Sequence, residues 1–202
     1  MNSLNPILPT LITQMVLPQL KIMTNPTSTP AGSIYVDCQF FDNKAAELLD
    51  YYREEYPEKK LKLVSLSRLL DFLASYLKLS GRFDVHLFGT SGSFKPDLVF
   101  PQAPTFGNTH DVSFNVVKHQ HHHRSIATEL VKDLHKSSTH YEQLVLLADD
   151  DQYPSLLSHG PTFDVLLRQD NDCTSMAELE ARSWQDIDYV MGYCMGLETH
   201  EL

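Results

Sequence analysis

Cysteine is scarce, three residues among 202. Cys38, Cys173 and Cys194 stand far apart and form no CxxC pair, so neither a disulfide framework nor a zinc ribbon is encoded. This usage fits a reducing compartment, the cytoplasm first with the nucleus as the alternative. Long hydrophobic runs are also missing. Pro6, Pro9, Pro18, Pro26 and Pro30 interrupt the apolar stretches of residues 1–30, which also lack a basic leader, so neither a signal peptide nor a membrane anchor is predicted. Positive charge is in short supply as well. Sixteen Lys and Arg face 26 Asp and Glu, a formal net charge of -10 that opposes a broad electrostatic grip on nucleic acid. A nucleic-acid contact would have to be local.

The 42% of hydrophobic residues excludes a disordered chain and suffices for one sizeable core. Residues 1–32 combine Pro, Asn, Ser and Thr with scattered Leu and Ile and carry one charge, Lys21. They read as an arm, either flexible or docking on its own core or on a protein partner. Residues 33–202 read as one domain.

In that domain short apolar runs alternate with helical periodicity, the pattern of a parallel sheet covered by helices. Strands are predicted over 34–37, 83–88, 112–117, 143–148 and 163–167, and helices over 44–55, 66–79, 125–135 and 176–191. The expectation is a three-layer α/β fold with about five mostly parallel strands. The acidic excess is concentrated late in the chain: residues 142–202 hold 13 acids against Arg168 and Arg182.

In open parallel sheets ligands collect at the carboxyl ends of strands. Two predicted strands end in acid, Ile34-Tyr-Val at Asp37 and Leu144 to Ala148 at Asp149, Asp150 and Asp151. If these strands are neighbours, as the first and fourth are in a 3-2-1-4-5 order, the carboxylates meet at one edge and repel unless a cation lies between them. Oxygen ligands without cysteine favour Mg²⁺ or Mn²⁺. Glu129 and Asp133, four residues apart on one helix face, are further candidate ligands. The alternative for the triple aspartate is a solvated loop that caps the next helix.

The Ile34-Tyr-Val-Asp37-Cys-Gln-Phe-Phe41 segment resembles the D-x-x-N strand end of NYN domains, the metal-dependent ribonuclease branch of the PIN-like nucleases. Val145-Leu-Leu-Ala-Asp149-Asp-Asp151-Gln-Tyr-Pro154 is similar to that family's V-S-G-D-x-D-F-x-P signature, with Asp149 and Asp151 on its two aspartates. Gly160-Pro-Thr-Phe-Asp-Val165 resembles the G-x-x-V strand. Ser175 to Leu179 with Asp186-Ile-Asp-Tyr189 resembles the closing helix. Three departures stand out: Phe40 replaces the asparagine, Leu147-Ala148 replaces Ser-Gly, and Ala127 falls where the middle motif has an aspartate, while Asp133 matches that motif's helix acid.

The resemblance implies a PIN-like fold and hydrolysis of RNA phosphodiester bonds, with Mg²⁺ or Mn²⁺ held by Asp37, Asp133, Asp149 and Asp151, and Glu129 able to replace a missing ligand. The departures leave open a catalytically impaired module that binds RNA or a protein. A different phosphotransfer domain is disfavoured, because Gln39 stands where its second acid is expected. The run Lys118-His-Gln-His-His-His123-Arg124 has three readings: a solvated loop, a phosphate-contacting rim through Lys118, His123 and Arg124, or a transition-metal site. Lys59, Lys60 and Lys62 form a basic turn, solubilising or phosphate-contacting. Trp184 and the tyrosines follow helical or strand faces and read as core. Ser91 between Gly89 and Gly92 lacks the ending of a phosphate-binding loop.

Overall fold

The computed structural model describes residues 30–62, 64, 68, 69, 72, 73, 82–90, 111–117, 125–148, 152–169, 176 and 179–197. Its frame is one sheet of six parallel strands in the order β3-β2-β1-β4-β5-β6. They are β1 (Gly32–Asp37), β2 (Phe83–Gly89), β3 (Asp111–Val116), β4 (Gln143–Leu147), β5 (Phe163–Arg168) and β6 (Ala181–Asp186). The chain steps outward from β1 to β3, returns to β4 beside β1, and continues to the other edge. The first and fourth strands are therefore neighbours, with Val36 opposite Leu147.

β1 and β4 read as unbroken apolar runs because both of their faces are covered. On one face Ile34, Val36, Val85, Leu87, Val145 and Leu147 pack with helix α1 (Cys38–Glu55) and helix α4 (Ile187–Met195). On the other, Tyr35, Leu144, Leu146 and Leu166 meet helix α2 (Ile126–Ser137) through Ile126, Leu130 and Leu134, with Tyr153 of the short helix α3 (Gln152–Leu156) alongside. These two apolar layers, one on each side of the sheet, make the three-layer α/β architecture. Leu130 and Leu134 have no exposed surface, each contributing roughly 1.5–3 kcal/mol by burial. Arg68, Leu69, Phe72 and Leu73 are helical within the predicted 66–79 helix, and Leu69, Phe72 and Leu73 join the first layer.

The sixth strand corrects the sequence reading. Sequence periodicity predicts a closing helix over 176–191, but Ala181–Asp186 is a strand on β5 and the helix covers Ile187–Met195. Helix propensity in this stretch yields to edge pairing. Arg182 Nη1 lies 2.8 Å from Asp164 Oδ1, and Ser183 Oγ donates to the Asp164 carbonyl at 2.9 Å. Asp186 then starts α4 by accepting the Asp188 N–H, and Gly196, in the left-handed region at φ 105°, ends it. Trp184 also departs from the expected core position: it is 42% exposed, with the Arg168 guanidinium 4.4 Å from its ring centroid. Among the described residues no helix is long and apolar enough to cross a membrane. The arm before Pro30, Ser91 and Cys173 lie outside the described residues.

Candidate active site

Asp37 is built by the junction of a buried strand and a helix. The strand ends on a residue whose carboxylate is a good helix cap, and α1 begins at the next position. Asp37 Oδ1 accepts the N–H groups of Gln39 at 3.0 Å and Phe40 at 3.1 Å, while the Tyr153 hydroxyl donates to Oδ2 at 2.8 Å. The side chain is only 6% exposed. These bonds fix its orientation from two sides of the sheet.

Beside it opens a cavity of about 440 Å³. Gln39, Phe40, Asn43, Lys44 and Glu47 of α1 form one wall; Gln39, Asn43 and Glu47 share a face because they recur every four residues. Ser125, Ile126 and Ala127 at the start of α2 form another, and Gln152 and Gln169 complete the lining. Ser125 caps α2 by accepting the Thr128 N–H at 3.1 Å. Two helix N-termini thus border the same space, and their dipoles favour an anion there, although Asp37 already accepts the Gln39 and Phe40 N–H groups and Ser125 that of Thr128.

Lys44 is buried in that wall. Its Nζ lies 3.1 Å from Asp188 Oδ1 and 3.2 Å from Glu47 Oε1. Burial pulls the ammonium down, but the two carboxylates outweigh it and hold its pKa above the ordinary value. Burial pushes the Asp188 carboxyl up, the Lys44 ammonium opposes this, and Asp186 and Glu47 add to the rise. The Lys44–Asp188 contact ties α1 to α4 beside the cavity.

The helix acids belong elsewhere. Asp133 Oδ2 lies 3.2 Å from His86 Nδ1, on the sheet face under α2, and His86 stacks on Tyr35 with ring centroids 4.7 Å apart. Asp133 follows Ala127 by six residues, so it sits about 9 Å farther along the helix from the cavity. Glu129 Oε2 is 3.9 Å from Lys132 Nζ and is absent from the cavity lining. Neither Glu129 nor Asp133 lines the cavity beside Asp37. Asp149 and Asp151 lie outside the described residues, as do Lys118, His123 and Arg124. Lys59, Lys60 and Lys62 follow the far end of α1, roughly 27 Å along that helix from Asp37.

No protein-family model, curated protein or solved structure matches the sequence.

The lining suits a hard cation chemically, since Asp37, Glu47 and four side-chain amides offer oxygen and, among the described residues, no cysteine or histidine takes part. Among the described residues no three His, Cys, Asp or Glu side chains form a metal-binding group. The polar lining residues that sequence reading missed include Asn43, Lys44, Glu47, Gln152 and Gln169. A four-residue polar stripe down α1 starting at Gln39 was the available signal for Asn43. For the two glutamines no local pattern existed.

Proposed function

We propose that the chain is a divalent-metal-dependent endoribonuclease that hydrolyses RNA phosphodiester bonds at the Asp37 cavity. The observation that carries this reading is the meeting, at the carboxyl edge between β1 and β4, of one rigid buried carboxylate with two helix N-termini around a cavity of mixed polar and apolar lining. An acid that recruits a cation and helix dipoles that attract phosphate form a complementary pair. This also answers the net charge of -10, because local dipoles can draw a phosphate where a basic groove is lacking.

Asp37, Asp149 and Asp151 would hold Mg²⁺ or Mn²⁺. When bound, such an ion lowers the pKa of a coordinated water and neutralises charge on the phosphate. The chain's own residues supply position. Tyr153 and the α1 N–H groups keep the Asp37 carboxylate from rotating, and the α2 N-terminus at Ser125 faces the phosphate. Lys118, His123 and Arg124 precede that N-terminus in sequence and would contact the backbone of the RNA.

A second reading is favoured by Ala127. It lines the cavity at the position where the NYN resemblance has an aspartate, so a module that binds RNA without cutting it is the alternative. The test is cleavage of single-stranded RNA with Mn²⁺ or Mg²⁺. Activity should vanish in EDTA and in Asp37→Asn or Asp149→Asn. Cleavage that survives chelation or both substitutions overturns the mechanism, and metal-independent RNA binding without cleavage selects the alternative.

A further inference from the structure

We propose that the open edge of β6 pairs with the β6 edge of a second copy of this chain, antiparallel and centred on Trp184. The proposal is independent of the cavity and of any nuclease activity. β6 ends the sheet, with β5 on one side and, among the described residues, no strand on the other. An edge of this kind presents a row of backbone N–H and C=O groups that can take up another strand. It is also bare on both faces. Arg182, Ser183 and Trp184 are exposed in succession, whereas β5 beside them is almost wholly buried.

Side chains alternate along a strand, so Arg182, Trp184 and Asp186 share one face. Charges of opposite sign thus stand two residues to either side of an exposed aromatic ring. With a two-fold axis at Trp184, each Trp184 lies opposite its counterpart, and Arg182 lies opposite Asp186 of the partner subunit, twice over. Directly opposed side chains interact, and both aromatic and opposite-charge pairs are favourable there. A two-fold axis at Ser183 instead sets Asp186 against Glu180 of the partner subunit, two charges of one sign. The edge is therefore complementary to itself in one register, which selects a second copy as its occupant.

Both charged groups have bonding capacity to spare. Arg182 is 74% exposed and places Nη1 2.8 Å from Asp164 Oδ1, whereas a guanidinium carries about five donors. Asp186 accepts the Asp188 N–H through Oδ1, and a carboxylate has about four acceptor positions. The net charge of -10 on each copy acts over distances that physiological salt screens beyond about 8 Å, whereas Arg182 and Asp186 of the partner subunit would be in contact. A six-residue strand is about 20 Å long, so the interface belongs to the small, weak class, with dissociation in the micromolar range.

Sedimentation velocity of the full chain from about 1 to about 100 μM should show a monomer passing to a dimer. Trp184→Lys sets like charges opposite each other and should weaken association about tenfold or more. Its dilute melting temperature should stay close to that of the unsubstituted chain, because Trp184 belongs to neither apolar layer. Cross-linking tests the register. In a Cys173→Ser background, where Cys38 and Cys194 are buried, Trp184→Cys should form a disulfide-linked dimer on mild oxidation. Opposed Cα atoms lie about 4.5–5.5 Å apart, within the roughly 4.4–6.8 Å that a disulfide spans. Arg182→Cys should not cross-link, its Cα lying about 14 Å from its counterpart. A chain that stays monomeric throughout, a dimer that Trp184→Lys leaves unchanged, or absent or equal cross-linking of the two cysteine variants overturns the proposal.

Discussion

Replacing Asp37 by alanine and by asparagine should separate its structural from its chemical role. Alanine removes the α1 cap, an interaction worth about 0.5–2 kcal/mol. It also removes the bond that the buried Tyr153 hydroxyl donates to Asp37, and losing a buried hydrogen bond costs about 1–3 kcal/mol. Together these give a loss of about 2–4 kcal/mol. For a domain of this size the melting temperature should fall by roughly 5–15 °C. Asparagine keeps an oxygen for the Gln39 and Phe40 N–H groups, and its NH₂ can donate to the Tyr153 oxygen, so a drop of only about 2–4 °C is expected. Thermal melts followed by circular dichroism measure both. Tyr153→Phe provides the control: added to Asp37→Ala it should cost less than it does alone, because the bond to Asp37 is already gone. Equal melting temperatures for the alanine and asparagine variants would refute the assignment of stability to these hydrogen bonds. The asparagine variant is then the proper reagent for cleavage, since it loses charge and keeps the fold.

Alkaline pH should destabilise the protein. Burial, helped by the Asp188 carboxylate, pushes the Tyr52 phenol up to about 12 from an ordinary 10.0. A raised folded pKa gives stability that is complete below the unfolded value, so the contribution should disappear as pH rises from about 10 towards 12. Lys44 has the same sign above its ordinary 10.5. Absorbance of tyrosinate and loss of ellipticity should rise together; ionisation of every tyrosine near pH 10 with the fold intact contradicts this. Cys38 and Cys194 are buried, and burial, with Asp42 and Asp37 adding to it, pushes the Cys38 thiol far above its ordinary value. Both should resist a thiol reagent until the chain unfolds, as counted by mass spectrometry on native and denatured protein. Gly32→Ala should destabilise by about 1–3 kcal/mol, because its Cβ would overlap the Phe83 ring across the β1–β2 pair. Urea midpoints measure this, and an unchanged midpoint would show that Phe83 yields freely.

Much of the fold was legible because buried parallel strands leave a strong mark. Ile34-Tyr-Val and Leu144 to Ala148 carry no polar interruption, and both are central strands. The junction at Asp37 was legible for the same reason: an acid directly after such a strand has few places to go. The sixth strand was not, because Arg182, Ser183 and Trp184 on a half-exposed edge lack both strand alternation and apolar continuity, and what holds them is Asp164 and Arg168 from a distant segment. The place of Asp133 was only partly legible. Helical spacing told which face it shares with Glu129 but not how far along the strands that face meets His86. Gln152 and Gln169 reach the cavity from separate crossovers, which one-dimensional spacing does not encode.

Trp184 is the only tryptophan of the chain, and its place beside Arg168 on an edge strand determines what light will report. Its indole is already 42% in water, so emission should be red-shifted in the native state and change little when the core melts. Intrinsic fluorescence therefore monitors the β5–β6 edge more than the apolar layers. A guanidinium 4.4 Å from the ring makes that signal sensitive to anything that moves Arg168, whose Nη1 donates to the Gln169 carbonyl at 3.0 Å. Because Gln169 also lines the cavity, the protein contains an optical probe one residue removed from its proposed ligand.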